Sequence, residues 1–261
     1  MAGIHRLITQ AVAQQRKLFA LLIDPEKCDA HRLQQVAESA AHAAPDLILV
    51  GGSQLRQSTA DAIDRLRQHC DLPIVLFPGN VQQLAPNADA LLLLSLISGR
   101  NAEWLIGQQV QAAQAIRASH IEVLPTGYIL VDGGTQTAVQ RISGTRPIAA
   151  DDLELIAATA LAGEQSGKQL IYLEAGSGAT RPVPTSAIRA AKEVLTVPLV
   201  VGGGITTPQM LRDAYAAGAD MVVVGNHLET HLNQLGTFAD TAKTITKKID
   251  LRTEILHPQK L

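Results

Sequence analysis

The sequence predicts a single (β/α)8 TIM-type barrel with one abbreviated helical crossover, and three observations carry that prediction. The chain has 261 residues, close to the ~250 typical of such barrels. Short β-branched or Leu-rich runs alternate with polar or glycine turns and helical stretches, the pattern of parallel strands joined by crossover helices. Eight such runs can be placed along the chain, which suits a closed barrel better than a doubly wound open sheet. No linker or low-complexity segment divides the chain, so residues 1–261 read as one domain.

Strands are expected over 18–23, 47–50, 74–77, 90–95, 121–131, 170–173, 199–201 and 221–224. Helices are expected over 29–43, 54–69, 103–118, 151–167, 185–195, 208–217 and 236–249. Leu33, Val36, Ala37 and Ala40 form one apolar stripe at helical spacing. Asp151 and Asp152 suit a positive helix N-terminus, and Pro208 is tolerated at a helix start. Only 81–86 separates the third strand from the fourth, too short for a full helix, so that crossover is abbreviated. The fifth strand is interrupted by Pro125 and Gly127. Residues 132–147 form a polar, Thr- and Gly-rich loop of a length that signals function or mobility.

Hydrophobic residues make up 46% of the chain but aromatics only 3%, so Leu, Ile, Val and Ala must fill the core. The formal net charge of −2, with no block of like charges, argues against nucleic acid or anionic membrane as a bulk-charge partner. Cys28 and Cys70 have neither metal-ligand nor redox spacing and read as reduced thiols. The first residues lack an apolar signal core, and no apolar run approaches the ~20 residues of a membrane span. A soluble, cytoplasmic protein is expected.

In a parallel barrel the chemistry belongs at the C-terminal strand ends, which directs attention to Asp24, Ser53, Asn80, Ser95, Tyr172, Glu174 and the late glycines. The sixth strand runs into Tyr172-Leu173-Glu174-Ala175-Gly176-Ser177-Gly178, the seventh into Gly202-Gly203-Gly204 and the eighth into Gly225-Asn226. Glycines let several backbone N–H groups converge on an anion, and loops after the last strands form the recurrent phosphate site of this fold. Any single run is also explained as a tight turn; three at consecutive strand ends favour a phosphate site.

Asp24 would face the barrel mouth, as a hydrogen-bond acceptor, a helix cap or a ligand for Mg2+, with Ser53 near enough to share the ion. Asp29 is the better-placed cap. Glu174 could take a proton from a substrate hydroxyl or pair with Arg181. His227 reads as a surface or capping residue, and Lys168, Arg189 and Lys192 as solvated charges. No His or Cys cluster offers a zinc site.

Five segments, Leu22-Ile23-Asp24-Pro25-Glu26-Lys27, Val50-Gly51-Gly52-Ser53, Leu76-Phe77-Pro78-Gly79-Asn80, Tyr172 to Gly178 and Val201-Gly202-Gly203-Gly204-Ile205, together resemble the geranylgeranylglyceryl phosphate synthases, a family that includes heptaprenylglyceryl phosphate synthases. The motifs recur in family order over nearly the whole chain. Ser95 to Asn101 and 126–134 resemble the longer subgroup, found in many archaea and some bacteria.

The resemblance implies a barrel that joins sn-glycerol 1-phosphate to a prenyl diphosphate, geranylgeranyl favoured, as an ether with release of diphosphate. It implies that Tyr172, Leu173, Glu174, Ala175, Gly176, Ser177, Gly178, Gly203, Gly204, Gly225 and Asn226 hold glycerol phosphate, and that Asp24 and Ser53 ligate Mg2+. Glu174 would be the catalytic base. At most peripheral membrane contact is expected for the lipid product, and a homo-oligomer, dimer or hexamer, is implied. Two rival readings are a phosphosugar isomerase on the same barrel and a noncatalytic phosphometabolite-binding barrel.

Overall fold

The computed structural model describes residues 3–52, 58–80 and 83–256, with side chains described as far as residue 246. Eight parallel strands close in sequence order: β1 (Leu18–Ile23), β2 (Leu47–Val50), β3 (Ile74–Leu76), β4 (Ala90–Leu96), β5 (Glu122–Leu130), β6 (Leu170–Glu174), β7 (Leu199–Gly202) and β8 (Met221–Val224). Closure is made by β1 against β8, with Leu18 opposite Met221 and Ala20 opposite Val223.

Side chains alternate along each strand. In β1, Leu18 and Ala20 enter the barrel interior, whereas Phe19, Leu21 and Ile23 face the surrounding helices. Those helices are α1 (Ile4–Ala13), α2 (Ala30–Ala43), α3 (Thr59–Arg67), α4 (Gln108–Ser119), α5 (Ala138–Ser143), α6 (Leu153–Gln165), α7 (Thr185–Val194), α8 (Pro208–Ala216), α9 (Asn226–Thr230) and α10 (Leu235–Leu256). Among the described residues no α-helix lies between β3 and β4.

α1 was not expected from the sequence, yet Ile4, Ile8 and Ala11 fall on one face and join the interior core at the N-terminal end of the strands. Glu122, at the start of β5, accepts the amides of Ile4 at 2.5 Å and His5 at 2.9 Å. It thereby satisfies free N–H groups at the positive end of that helix. With this end plugged, ligand access is left to the opposite mouth.

Four further expectations are corrected. The 132–147 loop contains α5, capped by the Thr137 hydroxyl and ended at Gly144 in the left-handed region; six residues are too few for a periodic signal. β5 runs unbroken, paired with β4 and β6 through Pro125 and Gly127. Gly127 is a packing site instead: a β-carbon there would lie 2.8 Å from both Ile97 and Ile171. The helix expected over 103–118 opens with a π-helical turn at Glu103–Gly107, and the last helix runs on to Leu256.

Candidate active site

The C-terminal mouth holds one pocket with two chemically distinct halves. Its polar half collects Asp24, Lys27, Gly52, Asn80, Glu174 and Glu229, together with the glycine loops after β6, β7 and β8. Its apolar half is a groove lined by Leu84, Leu91 to Leu94 and Leu96, with Trp104, Ala112 and Ile116 opposite. The groove exists because α4 stands off the barrel, with Ala112 its one buried residue. Gln109 ties the helix back to β4 through the Leu94 carbonyl and the Ser95 hydroxyl.

Glu174 ends β6 fully inside the mouth. Burial pushes its carboxyl up to about 7, against the smaller opposing pull of the Gly176 amide, which donates to Oε1 at 2.6 Å. The Tyr172 hydroxyl lies within electrostatic reach of that carboxylate but makes no hydrogen bond of normal geometry, and it is a buried donor without a partner. Arg181 does not pair with Glu174; its guanidinium lies beside Gly134. Tyr172, Tyr128 and Phe77 pack ring against ring beneath the pocket, with centroids 5.4 to 6.0 Å apart.

The late glycines are needed for close approach. A β-carbon on Gly202 would lie 2.2 Å from the Tyr172 hydroxyl oxygen. One on Gly203, whose φ is +82°, would lie 2.3 Å from Glu174 Oε1. No hydrogen bond among the described residues uses the amides of Ser177, Gly178, Gly203 or Gly204. Such donors make a cradle suited to an anion beside Glu174. Asn226 closes it, donating from Nδ2 to Ser177 Oγ at 2.7 Å.

Asp24 has a double role. Its Oδ1 caps the short 3-10 turn Pro25–Lys27 by accepting the Glu26 amide at 3.2 Å, and Asp29 caps α2, as the sequence implied. Its carboxylate also borders the open pocket, in space that a β-carbon on Gly52 would fill, at 2.3 Å from Oδ1. One carboxylate with an open face fits Mg2+, which takes one or two carboxylates plus substrate phosphates. Among the described residues no group of three His, Cys, Asp or Glu side chains could form a closed cage. Ser53, the second expected ligand, lies outside the described residues.

Ser95 is not at the mouth; it points outward to the Lys168 amine, 2.8 Å away. Lys168 is therefore a half-buried lysine whose pKa is lowered by desolvation, not a solvated surface charge. Lys192 likewise pairs with Asp220 at 2.7 Å. His227 lines the pocket, bonded to Gln234 and stacked on His231.

The sequence alone gives no role to Lys27 or Glu229, because only the closure of β8 onto β1 brings Glu229 and Asn226 to Lys27.

Fold and site together define a (β/α)8 barrel of the class with open glycine loops at its C-terminal mouth, here in one pocket with a buried carboxylate and an apolar groove. The chain belongs to the PcrB family, whose model matches residues 10–244. It is 46% identical over 235 residues to the geranylgeranylglyceryl phosphate synthase of Spirosoma linguale, covering 90% of this chain and 94% of that one. The enzyme of the same name from Korarchaeum cryptofilum is 37% identical, over 88% of this chain and 95% of its own. Among solved structures, (S)-3-O-geranylgeranylglyceryl phosphate synthase from Thermoplasma acidophilum, in complex with its substrate sn-glycerol-1-phosphate, superposes with a TM-score of 0.87 at 32% identity, covering 94% of this chain and all of that one. A thiamine phosphate pyrophosphorylase from Pyrococcus furiosus, with a TM-score of 0.56 and 14% identity, shares the fold alone.

Proposed function

We propose that this protein joins sn-glycerol 1-phosphate to a prenyl diphosphate, forming a prenylglyceryl phosphate ether and releasing diphosphate; its relatives are geranylgeranylglyceryl phosphate synthases, and one of them binds sn-glycerol-1-phosphate as substrate. The observation that carries this reading is the position of Glu174. A carboxyl held near 7 stands between an anion cradle and a groove of leucines. A phosphate-bearing nucleophile and an apolar electrophile that share this pocket would bring their reacting ends to Glu174.

Binding begins with the cradle amides of Ser177, Gly178, Gly203 and Gly204, which hold the phosphate and so fix the C3 hydroxyl. The unpartnered Tyr172 hydroxyl supplies a donor for the glycerol oxygens. Glu174 orients the C3 hydroxyl and takes its proton as that oxygen bonds to C1 of the prenyl chain and the C1–O bond to diphosphate breaks. Mg2+, when bound at Asp24 with Ser53 as an expected second ligand, supplies charge neutralisation of the leaving group. Leu91 to Leu94, Leu96, Trp104 and Ile116 take the prenyl tail and keep water from an electron-poor C1.

The geranylgeranyl chain is favoured as donor, with Trp104 the bulkiest side chain in the groove. No helix of the described residues is long and apolar enough to cross a membrane; a cytoplasmic enzyme touching the bilayer only to deliver its product suits that. Exposed Ile106 and Val110 stand one helical turn apart, and association of copies through that face would give a homo-oligomer, checked by light scattering.

The test is incubation with sn-glycerol 1-phosphate, Mg2+ and prenyl diphosphates of graded length, read by mass spectrometry. The proposal expects a prenylglyceryl phosphate and stoichiometric diphosphate. An isomerase or a pure binding protein would release no diphosphate.

A further inference from the structure

Lys27 is the one Lys or Arg among the described residues lining the pocket, which also holds three carboxylates, Asp24, Glu174 and Glu229. Its ammonium is 2.6 Å from Asn226 Oδ1, 3.1 Å from Glu229 Oε2 and 3.7 Å from Asp24 Oδ2. The contacts continue at both ends. Asn226 donates from Nδ2 to Ser177 Oγ at 2.7 Å, and Glu229 Oε1 accepts the Asp24 amide at 2.8 Å. A single side chain thus joins the loops after β1 and β8 directly, and reaches the loop after β6 through Asn226.

We propose that Lys27 is a positioning residue that couples the two ends of the site, an inference that rests on the prenyl-transfer reading above. Its charge on Oδ1 fixes the Asn226 amide with the NH2 group towards Ser177 and the cradle. A primary amide between a cation and a hydroxyl has one favourable orientation; without the cation, either rotamer serves and the donor is lost part of the time. The same ammonium holds Asp24 and Glu229 against β1, so the edge of the cradle and the Asp24 carboxylate keep one spacing. An ion pair with a purely structural role, on a side chain 44% exposed, would contribute little to the fold and nothing to ligand affinity.

The experiment is calorimetric titration of sn-glycerol 1-phosphate into the protein, without prenyl diphosphate, for wild type, Lys27→Met, Lys27→Arg, Asn226→Ala and the Lys27→Met/Asn226→Ala double variant. Loss of one charge-assisted hydrogen bond predicts about tenfold weaker binding for Lys27→Met. Lys27→Arg, which keeps the charge, should recover to within about threefold, and the double variant should bind no more weakly than Asn226→Ala alone. A Lys27→Met protein that melts like wild type and binds within about twofold of it would overturn the coupling role, as would single effects that multiply in the double variant. Wild type that neither binds sn-glycerol 1-phosphate nor releases diphosphate with a prenyl donor would overturn the prenyl-transfer reading and this inference with it. Normal wild-type turnover beside an unaffected Lys27→Met overturns the inference alone.

Discussion

Gly203 and Glu174 occupy one space: a β-carbon on Gly203 would lie 2.3 Å from Oε1 of the Glu174 carboxylate and 2.6 Å from the Gly176 amide nitrogen. Gly203→Ala must push the base or the cradle aside, and its positive φ adds strain of roughly 1–2 kcal/mol. Because the clash lies inside the site, kcat/KM for sn-glycerol 1-phosphate should fall at least about tenfold, more than the loss of stability accounts for. Wild-type kinetics in this variant would mean that the cradle does not depend on that approach.

Glu174 sets a pH dependence with a determined sign. Its carboxyl titrates about 7 in the folded protein, raised by burial from 4.5, and the base is the ionised form. kcat/KM should therefore rise with pH to a plateau with a midpoint near 7, reporting the free enzyme. Glu174→Gln should remove that limb and lower the rate by about 10²–10⁴-fold.

The same group weakens the fold at high pH. Between 4.5 and about 7 the folded chain binds more protons at Glu174 than the unfolded chain does. Stability attributable to this residue is thus highest at low pH and falls as pH rises through that window, by on the order of 3 kcal/mol. Relative to wild type, Glu174→Gln should gain in melting temperature between pH 5 and pH 8. A constant difference across that range would contradict the assignment.

Asp24→Asn separates the two roles of Asp24. Asparagine caps a helical turn about as well as aspartate, so melting should stay close to wild type, but the ionised ligand is lost. Turnover should collapse or require at least about tenfold more Mg2+. An unchanged Mg2+ titration would remove Asp24 from the metal site.

Trp104→Ala should enlarge the apolar groove and shift the preferred donor towards longer prenyl diphosphates, read from competition among donors of graded length. An unchanged preference would place the chain-length limit elsewhere along the leucine wall.

Much of this molecule was legible before folding, for identifiable reasons. Strands buried on both faces read as continuous apolar runs, so β1, β2 and β8 have the expected bounds. Each ends at a residue that breaks the run, Asp24, Gly51 or Gly225, which marked the mouth. Glycine runs with Glu174 between them marked the cradle. α1 was missed because Ile4, Ile8 and Ala11 sit among His, Arg and Gln, and their burial depends on the plug that Glu122 holds from far along the chain. The groove was not legible because it is a gap, created by α4 standing away from β4, and no residue type encodes that offset. Lys27 has the same difficulty: a lysine after Asp-Pro-Glu reads as solvated, and only barrel closure brings Asn226 and Glu229 to it.

In the proposed reaction the C3 oxygen of glycerol phosphate becomes the ether oxygen. Labelling that hydroxyl with 18O and analysing both products by mass spectrometry decides whether it does. Attack on prenyl C1 predicts full retention of label in the prenylglyceryl phosphate and none in the released diphosphate. Label in diphosphate, or diphosphate released without a labelled ether, would exclude that attack.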